Sequence, residues 1–485
     1  MLVKLITLLS ALGITFWTLI NMTIYKYDKN LKVGVNLDNL VLPIDPLNNI
    51  SLTNAFFSNN LYSNLIDVDE NNNYHSDLTS KYWFDSDQRK LFFEFEGSRI
   101  NAEDAAFSLR RLVSQKKHLH TDFWNIICNV AEDASACEKR IYVENNKLII
   151  KYEDKNKAQY IIPTLASVDF KIVPLEAFDI RDYKVAQIKN YTTTSGHYHL
   201  LKKENKYFFI RNNSSVKNIY KTYELININS ESLISRKVSL EEIDIISSTV
   251  VLQDDSYKAL LENKWNIFST HNISIGLLVF SKKGLDSTSI TDRFYFAQRL
   301  ANEGQKKFRV AESQEAVEFF QDFGQGFLNN SQLAQIRILR SSLFDIPKSS
   351  ITFGVKYSDK WKDFIYENKD IKVVKIEGYI PNLKTSEQPD AYSMTNDVSF
   401  DLNLSLISYA ANIGLLDMTK SQVDEFANLK TDEEKIAYIN AIHFKTLKEC
   451  KIYPMWSSPY HTAFNGEYEH SLSKFNSRTL LWKIH

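Results

Sequence analysis

The sequence predicts an α/β protein of more than one domain, and three observations carry that expectation. The chain has 485 residues, too many for one ordinary core. Hydrophobic residues make up 44% and aromatics 13%, with only 13 Gly and 9 Pro, which supports large cores and argues against low complexity. Stretches with the two-residue period of strands alternate with stretches at helical spacing, the pattern of mixed layers.

Leu5 to Tyr25 holds 21 residues without a charge, between Lys4 and Lys26. At about 1.5 Å per helical residue such a stretch spans a hydrocarbon core of roughly 30 Å. Its only small-residue cluster, Ser10 to Gly13, sits mid-stretch, and no cysteine follows to take a lipid. An uncleaved anchor over residues 1–27 is therefore expected in preference to a cleaved signal. Lysines on both flanks leave its orientation open.

Residues 31–37 (LKVGVNL) alternate as a short strand, and Asn54 to Ile66 places apolar residues at helical spacing. Leu78 to Leu112 reads as a short helix ending in Tyr82 and Trp83, a charged turn (Asp85-Ser86-Asp87), a strand from Leu91 to Glu96, and an amphipathic helix. Asn101 is placed to cap that helix, Glu103 and Asp104 complement its dipole, and Ala105, Phe107, Leu109 and Leu112 supply its apolar face. Residues 146–174 read strand, helix, strand. His271 to Phe280, Ile351 to Val355 and Ile371 to Ile376 read as strands, with the helix TDRFYFAQRLANE between the first two. Thr431 and Glu434 form a capping box at the head of a late helix. No tandem repeat and no Ser/Gly/Pro linker is present, so crossing strands should join the domains.

Taken in order, these stretches resemble the family 5 extracellular solute-binding proteins, the peptide- and nickel-binding receptors of ABC importers. Leu78 to Leu112 resembles that family's first-lobe run ending "FTAEDVVFSLERL". Thr194 to Leu200 (TSGHYHL) resembles its "GTGPYKL" turn, and residues 401–414 (DLNLSLISYAANIG) resemble "DAYLGGWGADYPDP". The resemblance covers about 31–213, 266–300 and 395–470, and rests on several weak matches in the right order.

The resemblance implies a two-lobed periplasmic-binding-protein fold of the Venus-flytrap kind. Lobe I would cover 28–269, completed by 463–485, with an accessory subdomain inside it, and lobe II would cover 270–462. It also implies capture of a peptide or other small ligand between the lobes by hinge closure. Delivery to the permease of an ABC transporter would follow, on the extracytoplasmic, periplasmic side of the cytoplasmic membrane. The alternative is a degenerate, membrane-anchored binding protein acting as sensor or scaffold.

The chemistry-bearing residues agree with a binder. No phosphate loop, dinucleotide fingerprint, zinc-protease motif or nucleophile elbow is present, so neither an enzyme nor a cofactor is expected. With 58 basic and 59 acidic residues, no global field invites nucleic acid. The pairs His118/His120 and His197/His199 each offer two ligands, too few for a metal site, and none is expected. Cys128 and Cys137 could close a small-loop disulfide or stand as two thiols, with Cys450 left over.

For ligand contacts the resemblance points to Ser408, Tyr409 and Asn412, and to His197 and Tyr198 at the glycine turn. Asn412 stands where peptide-binding members carry an aspartate for the ligand's α-ammonium; its amide can accept a hydrogen bond but supplies no countercharge. The family's "RVRQA" arginine is replaced by the Phe294-Tyr295-Phe296 stretch. Trp456 and Tyr460, in a segment interrupted by prolines, are expected at the cleft or hinge.

Overall fold

The computed structural model describes residues 30–484 apart from 49–50, 70–72, 97–99, 117–126, 128–133, 153–154, 156–157, 167–169, 213–219, 309, 319–327, 348–349, 356–368, 377–383, 398–421, 423–424, 427 and 475–478. The expected anchor Leu5–Tyr25 lies outside the described residues, as do His118, His120, Cys128, Ser408, Tyr409 and Asn412. Among the described residues no helix is long and apolar enough to cross a membrane.

Lobe I opens with β1 (Asn30–Val35) and α1 (Leu52–Leu61). A subdomain follows, with β2 (Asp67–Val68), β3 (Tyr74–His75), β4 (Lys81–Phe84), β5 (Lys90–Glu94), α2 (Ala102–Lys116), α3 (Ala134–Glu138), β6 (Ile141–Glu144), β7 (Lys147–Lys151) and α4 (Ala158–Leu165). The chain returns to lobe I through β8 (Tyr198–Lys203), β9 (Lys206–Arg211), β10 (Thr222–Asn227), α5 (Glu231–Ser239), β11 (Ile245–Ile246), α6 (Asp254–Glu262) and β12 (Asn266–Ser269). Lobe II runs through β13 (Ser274–Phe280), α7 (Lys282–Ser287), α8 (Ile290–Phe308), β14 (Gln314–Glu315), α9 (Asn330–Ser341), β15 (Ile351–Val355), β16 (Ile371–Lys375), β17 (Ala391–Asp397), α10 (Asp432–Lys448) and β18 (Ile452–Ser458). The last strand, β19 (His461–Phe464), rejoins the first sheet.

Lobe I is built on a seven-stranded sheet of order β12-β19-β11-β1-β10-β9-β8, and lobe II on a six-stranded one, β14-β18-β13-β17-β15-β16. Both are mixed: β1 runs parallel to β10 and β11, and β15 parallel to β16 and β17. The subdomain carries an antiparallel sheet, β4-β5-β7-β6. Every residue of β13 is buried, because both faces of its sheet are covered. Leu278 and Phe280 join Phe294, Ala297 and Leu300 of α8 on one side, while Ile275, Leu277 and Val279 join Ile439 of α10 in the cluster on the other.

The local signals behave as physics requires. Asn101 Oδ1 accepts from the Glu103 and Asp104 amides at 2.9 and 3.0 Å, and Asp104 Oδ2 accepts from the Asn101 amide at 2.9 Å. At the head of α10, Thr431 Oγ1 accepts from the Glu434 amide and the Glu434 carboxylate from the Thr431 amide, both at 3.2 Å. Near the end of α2, the buried Arg111 guanidinium forks onto both carboxylate oxygens of Asp45, with Nη1 to Oδ1 at 2.9 Å, and ties the subdomain to the loop after β1.

One local expectation is corrected. Tyr82 and Trp83 end no helix but lie in β4, where Trp83 is opposite Phe92 of β5 with the rings stacked at 5.3 Å. A run of aromatic residues beside a complementary strand gains more from cross-strand packing than from a single helical turn. Cys137 is disulfide-bonded, and Cys450 is free and buried.

Candidate functional site

Two short segments carry the chain between the sheets. Thr270 to Ile273 leads from β12 to β13, and Pro459-Tyr460 leads from β18 to β19. They are bonded to each other: the Thr270 amide donates to Tyr460 O at 3.0 Å, and the Tyr460 amide to Thr270 Oγ1 at 2.8 Å. The Tyr460 hydroxyl donates to Ser274 Oγ at 3.2 Å, at the first residue of β13.

This crossing sits where the parallel strands of both sheets end. β12 and β19 pair at Ser269 and His461, and β11, parallel to β1, ends beside them. In lobe II, Asp397 at the carboxyl end of β17 and Ser458 at that of β18 both stand opposite Ser274. In open α/β sheets the crevice outside the carboxyl ends of the strands is the place for ligands.

On the lobe I side, the residues at these strand ends are neutral hydrogen-bonding groups. Directly after β11 come Ser247, Ser248 and Thr249, all buried. Ser247 Oγ donates to Gly34 O at 2.9 Å and lies 2.8 Å from Thr249 Oγ1, which accepts from the Asn36 amide at 3.1 Å. Thr53 of α1 donates to Asn36 O at 2.8 Å. Thr479 Oγ1 donates to Ser248 Oγ at 2.9 Å and lies 2.9 Å from Thr462 Oγ1 of β19. Asn36 Oδ1 is buried with no hydrogen-bond partner among the described residues, an acceptor left over at the end of β1. Side-chain bonds of this kind, three of them to backbone groups, hold these strand ends in place.

Three of the expected site residues sit in packed surroundings. Tyr198 opens β8 directly after His197, and the register of that strand runs Tyr198 to Arg211, Ile210 to Thr222, and Thr222 to Asn30. That places them level with the amino end of β1. Its carboxyl end is five residues away, about 17 Å at the strand rise. Tyr198 is fully buried among Phe209 and Tyr223, its hydroxyl donating to Tyr220 O at 3.3 Å. His197 packs against Trp482 with ring centroids 4.5 Å apart.

Trp456 is opposite Gly276 on β13, and its indole fills the space above that glycine and beside Gly304 of α8. It packs, partly buried, against the lobe II core under α8. The prolines mark different things: Pro454 sits in β18 at an irregularity in the register with β13, and Pro459 starts the crossing. Of the expected aromatic pair, Tyr460 lies in the crossing between β18 and β19. The Ser247-Ser248-Thr249 run was visible in the sequence as three hydroxyl residues straight after a strand, but nothing local says which end of a sheet that strand's end occupies.

Burial pushes the His461 imidazole below its ordinary range, opposed by the Ala311 carbonyl and by Glu312. Among the described residues no group of three or more His, Cys, Asp or Glu side chains could hold a metal ion.

No protein-family profile and no curated protein matches the sequence. Solved structures do. A dipeptide binding protein from Pseudoalteromonas sp. SM9913 in complex with Met-Leu superposes at TM-score 0.68 and 12% identity over 94% of this chain and 99% of that one. Listeria monocytogenes OppA bound to peptide gives 0.68 at 14% identity, with coverage of 94% and 99%. The unliganded open form of MppA, a periplasmic murein tripeptide binding protein, gives 0.58 at 14% identity, with coverage of 94% and 97%. The fold is thus that of a two-lobed binding protein of the periplasmic type. More narrowly, it is the fold of the family 5 extracellular solute-binding proteins.

Proposed function

We propose that this chain is the extracytoplasmic substrate-binding protein of a peptide-type ABC transporter. It captures its ligand between two lobes by hinge closure and presents it to a membrane permease. The observation that carries this reading is the bonded pair of crossings, Thr270 with Tyr460, at the carboxyl ends of both sheets. Two short strand connections can bend while the sheets they join stay rigid. A ligand that gains contacts only in the closed form then shifts the balance toward closure. No bond is made or broken.

The arrangement described here is a closed one. Lys435 of α10 in lobe II places its ammonium 5.2 Å from the centroid of the Tyr160 ring on α4 of the subdomain. The better superposition on the two ligand-bound structures than on the open form supports the same view. Lobe I comprises 28–269 with 461–485, since β19 joins the first sheet from His461 on, and lobe II the stretch between. Ser408, Tyr409 and Asn412, in the segment after β17, complete the site from lobe II, and Leu5–Tyr25 tethers the protein to the outer face of the cytoplasmic membrane.

A sensor or scaffold role on the same fold is favoured by one feature, Asn412 in place of a charged partner for a peptide N-terminus. Native mass spectrometry of the full chain, extracted gently in detergent, separates the two. A retained adduct of peptide size is the expected result. A protein that is empty and unmoved by a peptide panel in thermal-shift assays would overturn the transport reading.

A further inference from the structure

The loop between α8 and β14 belongs to lobe II through its strand, since Gln314 and Glu315 pair with Ser457 and Trp456 of β18. Its preceding residues nevertheless bond to lobe I. The Ala311 amide donates to Leu252 O at 2.9 Å, and its carbonyl lies 3.2 Å from His461 Nε2. Glu312 accepts from the Tyr257 hydroxyl of α6 at 3.1 Å on one carboxylate oxygen and from the Ser269 hydroxyl of β12 at 2.9 Å on the other.

Ser269 Oγ in turn lies 3.0 Å from His461 Nδ1, and the Tyr257 ring packs on the imidazole at 5.1 Å. Ser269 and His461 are register partners, the last residue of β12 and the first of β19. The loop therefore grips lobe I at the two strands that lead into the crossings. Glu312 holds φ at +60°, in the left-handed region. A residue with a side chain keeps that strained conformation where its contacts over-determine it.

We propose that Glu312 is a clasp, an attachment between the lobes beside the two crossings, that restrains rotation about the hinge and sets the open-to-closed ratio of the ligand-free protein. The proposal rests on the lobe motion of the function proposed above. Two adjacent crossings form a ribbon that can twist, and a contact off the ribbon's axis resists that twist. The clasp is made in the closed arrangement, so breaking it favours opening. The Glu312 side chain is 47% exposed, and water therefore replaces part of what is lost.

Single-molecule energy transfer on the full-length protein tests the clasp without any ligand. Dyes are placed at Lys203→Cys in lobe I and Lys372→Cys in lobe II, both exposed positions. Glu312→Ala is expected to raise the open-to-closed ratio about three- to ten-fold, the loss expected for one or two hydrogen bonds to a half-exposed carboxylate. Tyr257→Phe removes one of those bonds and is expected to shift the ratio less in the same direction. Adding it to Glu312→Ala should change nothing further.

If Glu312→Ala does not fold, Glu312→Gln and Tyr257→Phe carry the test. Two interconverting distances whose populations ignore these substitutions would remove the clasp and leave lobe motion standing. A wild type with one fixed inter-lobe distance would overturn lobe motion and the clasp together.

Discussion

Thr270 and Tyr460 brace each other across the two lobe connections: the Thr270 amide donates to the Tyr460 carbonyl at 3.0 Å, and the Thr270 hydroxyl oxygen accepts from the Tyr460 amide at 2.8 Å. Both connections begin and end at strand termini, so this pair fixes the point about which one sheet can turn against the other. Thr270→Val keeps the shape and removes the acceptor that the part-buried Tyr460 amide uses. It should cost about 1–3 kcal/mol in urea unfolding. An unchanged midpoint would mean that water reaches the Tyr460 amide.

The fork between Arg111 and Asp45 is fully enclosed, with both side chains 5% exposed. Removing one partner strands the other as a buried charge. Asp45→Asn should therefore destabilise the chain by about 3–5 kcal/mol, whereas Asp45→Asn with Arg111→Met should recover a good part of the loss. Thermal melts of the three variants decide it, and a double variant no better than the single would argue against an enclosed charge.

His443 faces the interior of α10's packing, and burial pushes its imidazole down to about 3. The folded form thus holds it neutral, while the unfolded chain protonates it below its ordinary value near 6.5. Its contribution to stability is present above that value and is lost as pH falls toward 3. Between pH 7 and pH 5 the loss should be on the order of 2 kcal/mol. His443→Leu should melt with a visibly shallower pH dependence over that interval, and a slope equal to wild type would show that the group titrates normally.

His461 carries the same sign at the hinge. Burial lowers it, with Glu312 the charged group facing it from the α8–β14 loop and Tyr257 the titratable one facing it from α6. The clasp's own groups, the Ala311 carbonyl and Glu312, act the other way and hold the protonated ring, so the lowering comes from burial. Stability should therefore fall as pH drops from 7 toward 5, and His461→Gln should flatten that fall in thermal melts. A slope equal to that of the wild type would show that burial does not hold the ring neutral.

Gly276 gives Trp456 its room, since a Cβ there would run into the indole. Gly276→Ala should cost about 1–3 kcal/mol through overpacking, and Trp456→Leu in the same chain should relieve it. If Trp456 instead lined the cleft, the double variant would gain nothing over the single.

What the sequence determined by itself is local. Helix caps at Asn101 and Thr431, the alternation of LKVGVNL and the unbroken apolar run of β13 depend on residues a few positions apart, so the elements and their order were readable. The short-range reading failed at Tyr82 and Trp83, where a partner strand decided between helix and sheet. Which side chains face the crevice was decided only by the tertiary structure. His197 looked well placed because its turn resembles one near a cleft, yet pairing through β8, β9 and β10 puts it at the amino end of β1. Ser247 to Thr249 reach the carboxyl end through the pairing of β11 with β1. Trp456 and Tyr460 lie four residues apart, but one belongs to a strand packed under α8 and the other to the crossing beyond it. Such placements are set by hydrogen-bond register between strands remote in sequence, and no local pattern carries that information.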